Sequence, residues 1–69
     1  MSQETRQKIA NNVKKYRAIK NYKREELSLL LGFDNSYISK LERKSINITI
    51  DKLEQIANAL DVDIIDLLK

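Results

Sequence analysis

Gly32 is the single glycine of this 69-residue chain, and two short apolar patterns meet at it. In R-E-E-L-S-L-L-L before it, Leu27 and Leu31 stand four apart with the small Ser28 between them; after it, Ile38 and Leu41 stand three apart. Such spacings give each half one narrow apolar stripe on a helix, and both stripes can face a common core. Gly32 takes a left-handed helix end without strain, Phe33 supplies an apolar plug, and Asp34 is predicted to cap the next helix. The expectation is a helix from about Arg24 to Leu31, a tight turn, and a second helix from about Asn35 to Arg43. Two helices joined this way cross steeply, so the outer face of the second projects from the body.

The outward residues of that second helix would be Asn35, Ser36, Tyr37, Ser39, Lys40 and Arg43, hydrogen-bonding and basic groups with no acid among them. A helix with one apolar side and amide, hydroxyl and cationic groups on the other suits the major groove of DNA, where Asn pairs with adenine and Lys with guanine. It reads as a recognition helix.

G-F-D-N-S-Y-I-S-K-L-E-R resembles the helix-turn-helix of the phage repressor and Cro type (XRE-like), whose bacterial members include the controller proteins of restriction-modification systems. The tail I-T-I-D-K-L-E-Q-I-A-N-A-L-D-V-D-I-I-D-L-L is similar to that family's fourth and fifth helices, and the match runs from about Ile9 to Leu68. The resemblance implies an all-α, five-helix, lambda-repressor-like domain with helices two and three as the helix-turn-helix. It implies base contact for Asn35, Ser36, Ser39 and Lys40; Tyr37 and Arg43 look like contact residues of the controller-protein branch. It also implies that Arg17 in helix one is held against Glu42 at the end of helix three as a scaffolding ion pair. Two departures stand out. Lys23 and Arg24 occupy the places of a hydroxyl cap and a glutamine, putting a cation where a neutral phosphate contact is usual, and Lys44 replaces a helix-ending glycine.

Length and charge bound the rest. Sixty-nine residues allow one domain, residues 1–69, with a core small enough that a partner subunit often adds buried area. The absence of Cys and His removes disulfides and the common zinc sites, so no metal and no cofactor is expected. The polar start M-S-Q-E-T-R-Q-K is no signal peptide and no apolar run approaches a membrane span; the expected location is the cytoplasm, in association with the nucleoid. The net charge of +3 is unevenly spread. Residues 1–45 hold 11 Lys/Arg against 5 acids, giving +6, and residues 46–69 hold 2 against 5, giving −3. A basic end collects polyanions with an affinity that falls as salt rises, while the acidic end would point away from them.

Along the chain, Ile9, Val13 and Tyr16 predict an amphipathic helix from Arg6 to Lys20, capped by Ser2 or Thr5 and stopped by Asn21 in a left-handed conformation. Its Lys14, Lys15 and Lys20 are as well read as a solvated face as phosphate contacts; a membrane-surface helix is disfavoured by its thin apolar stripe. Leu29 and Leu30 exceed what the inward stripe needs and are expected to patch a neighbouring helix, a partner surface being the alternative. Tyr37 is equally a core-edge residue or a DNA contact. Thr49 should cap a fourth helix whose wide apolar face carries Ile50, Leu53, Ile56, Ala57 and Leu60. Asp61 and Val62 form a turn, and Asp63, with Asp66 three residues on, caps a last short helix. There Ile64 and Leu67 can dock on the core, whereas Ile65 and Leu68 form an apolar strip read as a homodimer interface, or tucked under helix one in a monomer.

These features point to a sequence-specific regulator of double-stranded DNA, a dimer on a palindromic operator, with Arg24 and Lys44 on the phosphate backbone. The alternative is a protein-interaction module of the same fold, antitoxin-like or regulator-binding, using Leu29, Leu30, Ile65 and Leu68. An enzyme is not expected, since no general base, nucleophile pair or metal site is legible, and no small-molecule ligand is evident.

Overall fold

The computed structural model describes residues 2–43 and 46–69. These form five α-helices in order: α1 (Gln3–Ile19), α2 (Arg24–Leu30), α3 (Tyr37–Glu42), α4 (Ile50–Ala59) and α5 (Ile64–Leu68). Helix α1 starts three residues earlier than its apolar spacing predicts, because Ser2 caps it by accepting the Thr5 N–H at 3.1 Å.

Helices α1, α2 and α4 end by the same device. Asn21, Gly32 and Asp61 have φ of 60°, 75° and 59°. At each, the left-handed residue donates its N–H three residues back (to Ala18, Leu29 and Asn58), and the following residue donates five back (Tyr22 to Arg17, Phe33 to Ser28, Val62 to Ala57). This is the Schellman pattern, which satisfies carbonyls left over at a helix end. The residue after each left-handed position, Tyr22, Phe33 or Val62, turns back onto the core. Only Gly32 adopts this conformation free of Cβ strain; Asn and Asp tolerate it through short polar side chains.

The core joins Ile9 and Val13 of α1, Leu27 of α2, Ile38 and Leu41 of α3, Leu53, Ile56 and Ala57 of α4, Leu60 at its end and Leu67 of α5. Ile48, in the stretch before α4, belongs to it too, at 7% exposure. Ile50 does not. Predicted on the inward face of α4, it stands 61% exposed, because the apolar face is wider than the surface that covers it. Leu29 and Leu30 likewise patch no helix, at 58% and 60% exposure.

Asn12 locks α5 against α1: its side-chain amide donates to the carbonyls of Leu67 at 3.0 Å and Lys69 at 3.2 Å. These are carbonyls that a five-residue helix has no later N–H to satisfy. At the other end of α5 the Asp63 N–H donates to the Asp66 carboxylate at 3.1 Å. Among the described residues no helix is long and apolar enough to cross a membrane.

Candidate nucleic-acid interface

Six residues make α3, and two of them, Ile38 and Leu41, are buried. An apolar pair three apart fixes which side faces inward but sets the rotation and tilt loosely, since hydrophobic attraction has no direction. Directional contacts complete the task at both ends of the helix.

At the C-terminal end, Arg17 Nε donates to Glu42 Oε2 at 2.7 Å and Nη2 to Oε1 at 3.2 Å, while Nη1 donates to the Tyr22 carbonyl at 2.7 Å. The side chains are 14% and 4% exposed, so this is a nearly buried, two-pronged pair that joins α1, the α1–α2 turn and the end of α3. The arginine and glutamate expected to meet do meet.

At the N-terminal end the cap differs from expectation. Asp34 does not cap α3: its carboxylate accepts the Ser36 hydroxyl at 2.7 Å, and a turn closed by the Tyr37 N–H on the Asp34 carbonyl at 2.9 Å inserts Asn35 and Ser36 ahead of the helix. Helix α3 therefore begins at Tyr37, two residues late, and Ser36 at its start makes no side-chain cap. The acceptor comes from α2. Ser28, fully buried, accepts the Ile38 N–H at 3.0 Å and donates its own hydroxyl proton to the Arg24 carbonyl at 2.9 Å. In the sequence Ser28 looks like no more than a small spacer between leucines; a hydroxyl on an inward stripe is the signal of this role, since a buried hydroxyl requires partners.

Held this way, Asn35, Lys40 and Arg43 are exposed and Ser36 and Ser39 half-buried, with Arg24 exposed at the start of α2. The Arg43 Nε donates to the Ser39 carbonyl at 3.3 Å, so its guanidinium lies back along the helix. Asp34 introduces an acid at the edge of this face, 3.9 Å from the Lys40 ammonium. Left uncommitted as a cap, its carboxylate is exposed there and lowers the local positive charge. Lys44 lies outside the described residues. Lys23, which cannot accept a backbone hydrogen bond through its side chain, keeps half of a capping arrangement: its N–H donates to Glu26 Oε1 at 2.8 Å.

Tyr37 belongs to the core edge. Its ring lies 4.7 Å from that of Phe33, centroid to centroid, tilted by 56°, and its hydroxyl is buried with no hydrogen-bond partner among the described residues. Burial raises its pKa above the ordinary 10.0 by disfavouring the phenolate. At the far end, Ile65 and Leu68 are 63% and 39% exposed. They are not tucked beneath α1.

The chain resembles known proteins over nearly its whole length. It is 38% identical over 66 residues to a hypothetical transcription factor of Neisseria meningitidis serogroup B, covering 96% of this chain and 62% of that protein. It thus spans less than two thirds of that relative. It is 38% identical over 60 residues to the control protein C.SmaI of Serratia marcescens, covering 87% of this chain and 71% of the relative. Among solved structures, the Neisseria hypothetical transcription factor NHTF superposes with a TM-score of 0.92 at 34% identity over 100% of this chain and 80% of its own. The restriction-modification controller protein C.Esp1396I, a tetramer in complex with its natural 35 base-pair operator, superposes at 0.78 with 34% identity over 94% of this chain and 96% of that one. The helix-turn-helix family matches residues 13–67, the segment running from Val13 on α1 through the turn at Gly32 to Leu67 on α5, and this chain belongs to that family.

Proposed function

We propose that this protein is a sequence-specific regulator of transcription that binds double-stranded DNA as a homodimer, with α3 in the major groove and no catalytic activity of its own. The observation that carries the reading is the exposed Lys40 of α3 with the exposed Asn35 before it and Arg43 after it, on a helix held in one orientation by the Arg17–Glu42 pair and by Ser28. Asn35 and Lys40 would reach base edges, with Ser36 and Ser39 beside them, while Arg24, Arg43 and Lys44 would meet phosphates; Tyr37 would support α3 through its ring. Support for the DNA partner comes from the operator complex of the similar controller protein. The exposed Ile65 and Leu68 would supply apolar area for a two-fold contact, which would set two reading helices about one helical turn apart on a palindromic operator. Such a protein would work in the cytoplasm, on the nucleoid.

The test is a gel-shift panel with a duplex selected from a random pool and a scrambled control at several salt concentrations. Wild type should prefer the selected duplex; Asn35→Ala or Lys40→Ala should lose that preference, and Arg24→Ala should weaken both duplexes alike. Equal binding of selected and scrambled duplexes by wild type would count against sequence-specific recognition. The exposure of Leu29 and Leu30 favours a second reading, a protein-interaction module of this fold, for which pull-down would recover a protein partner while duplex affinity stays low.

A further inference from the structure

One cation ties the reading helix to α4. Lys52 lies in the first turn of α4, where its own N–H donates to the Thr49 hydroxyl at 3.2 Å, and its side chain is partly buried. Its ammonium sits 4.9 Å from the centroid of the Tyr37 ring and 5.4 Å from that of Phe33. Phe33 closes the end of α2 and Tyr37 opens α3, so the cation spans the two rings that flank the turn between these helices. Both distances lie within the range in which a ring's negative face attracts a cation.

The surroundings say what this contact does. Ser36 makes no side-chain cap at the start of α3, and the buried Tyr37 hydroxyl has no hydrogen-bond partner among the described residues. The Tyr37 ring packs against the core with Phe33 4.7 Å away, centroid to centroid, and the Lys52 ammonium 4.9 Å from its centroid. Tyr37 is the first residue of α3 and follows directly on Asn35 and Ser36, so what its ring packs against bears on how this end of the helix sits.

We propose that Lys52 is a positioning residue for the DNA-reading helix: its ammonium, resting on Phe33 and Tyr37, fixes the tilt of the first turn of α3 against α4 without touching DNA. The proposal rests on the DNA-binding function above and adds a specificity determinant from outside the reading face. A phosphate-contacting lysine would behave differently, because it would act on every duplex equally and contribute about 0.9 to the salt slope.

The decisive experiment compares wild type, Lys52→Met and Lys52→Arg for binding to a selected and a scrambled duplex across a salt series, beside proton NMR of the free proteins. The Lys52 ε-methylene protons should be shifted upfield by the two rings in wild type. Lys52→Met should bind the selected duplex roughly three- to tenfold more weakly with the scrambled duplex and the salt slope unchanged, and Lys52→Arg, which keeps a cation on the rings, should restore the preference. Lysine protons at random-coil shifts, equal weakening on both duplexes with a shallower slope, an unchanged preference in Lys52→Met, or failure of Lys52→Arg to rescue would each overturn the proposal. Wild type without any preference would instead overturn the DNA reading itself, and the proposal with it.

Discussion

Helices α3 and α5 are nearly the same length, six and five residues, yet they are secured differently. Helix α3 buries Ile38 and Leu41 and is then fastened by polar groups that are themselves buried: Ser28 at 0% exposure and Glu42, whose side chain is 4% exposed. Helix α5 buries Leu67 and is fastened by the half-buried Asn12 and by the half-buried Asp66 carboxylate, which accepts the Asp63 N–H and pairs with Lys69; Ile65 and Leu68 remain outside. A directional contact in a dry setting fixes angle as well as distance, because breaking it leaves a charge or a polar group without a partner. The difference agrees with the proposed roles: a helix that reads DNA must arrive at one angle, and a terminal helix with a free apolar side would meet another subunit.

Removing charge from the buried pair should do the most damage. Glu42→Gln leaves Arg17 without its counter-ion and should lower unfolding free energy by about 3–5 kcal/mol, measured by urea denaturation. A loss under about 1 kcal/mol would place this pair with ordinary surface salt bridges and erase the contrast between the two helices. Ser28→Ala comes next, since it strands the Ile38 N–H and should cost about 1–3 kcal/mol, with faster hydrogen exchange at the Ile38 amide than elsewhere in α3. At the other end, Asn12→Ala should cost about 1 kcal/mol, because the Leu67 and Lys69 carbonyls it releases can reach water; an effect as large as that of Glu42→Gln would show that α5 is held as rigidly as α3.

Tyr37→Phe should change stability least. At neutral pH it removes a buried hydroxyl that has no partner among the described residues, so the variant should be as stable as wild type or slightly more so. The effect grows in alkali. Because burial raises the folded-state pKa above 10.0, the unfolded chain releases the Tyr37 proton first; this contribution to stability is full below pH 10.0 and is lost as pH climbs from there through the folded value. Urea midpoints at pH 9 and pH 11 should therefore fall less in Tyr37→Phe than in wild type.

What the sequence made legible was local. Asn21 and Gly32 could be read as helix ends because tolerance of a left-handed backbone belongs to the residue itself, and Thr49 could be read as a cap because its acceptor serves a backbone N–H three positions on. The Arg17–Glu42 pair was reached through resemblance, not spacing. What escaped depended on partners distant in the chain: Ser28 serving α3, Asn12 serving α5, Lys52 resting on two rings. Ile50 departs from its expected place because periodicity shows how wide an apolar face is, not how much of it a neighbour covers. Asp34 looks like a cap in the sequence because a cap and a turn residue two positions earlier share the same preferences.

The most direct measurement is amide chemical-shift mapping of the folded protein as selected duplex is added. The expected result is perturbation concentrated at Arg24, Asn35, Ser36, Ser39, Lys40 and Arg43, with the amides of Asp61 and Asp63 on the acidic side unchanged. Perturbation centred on α4 and α5, with α3 silent, would contradict the claim that the polar side of α3 is the surface that meets DNA.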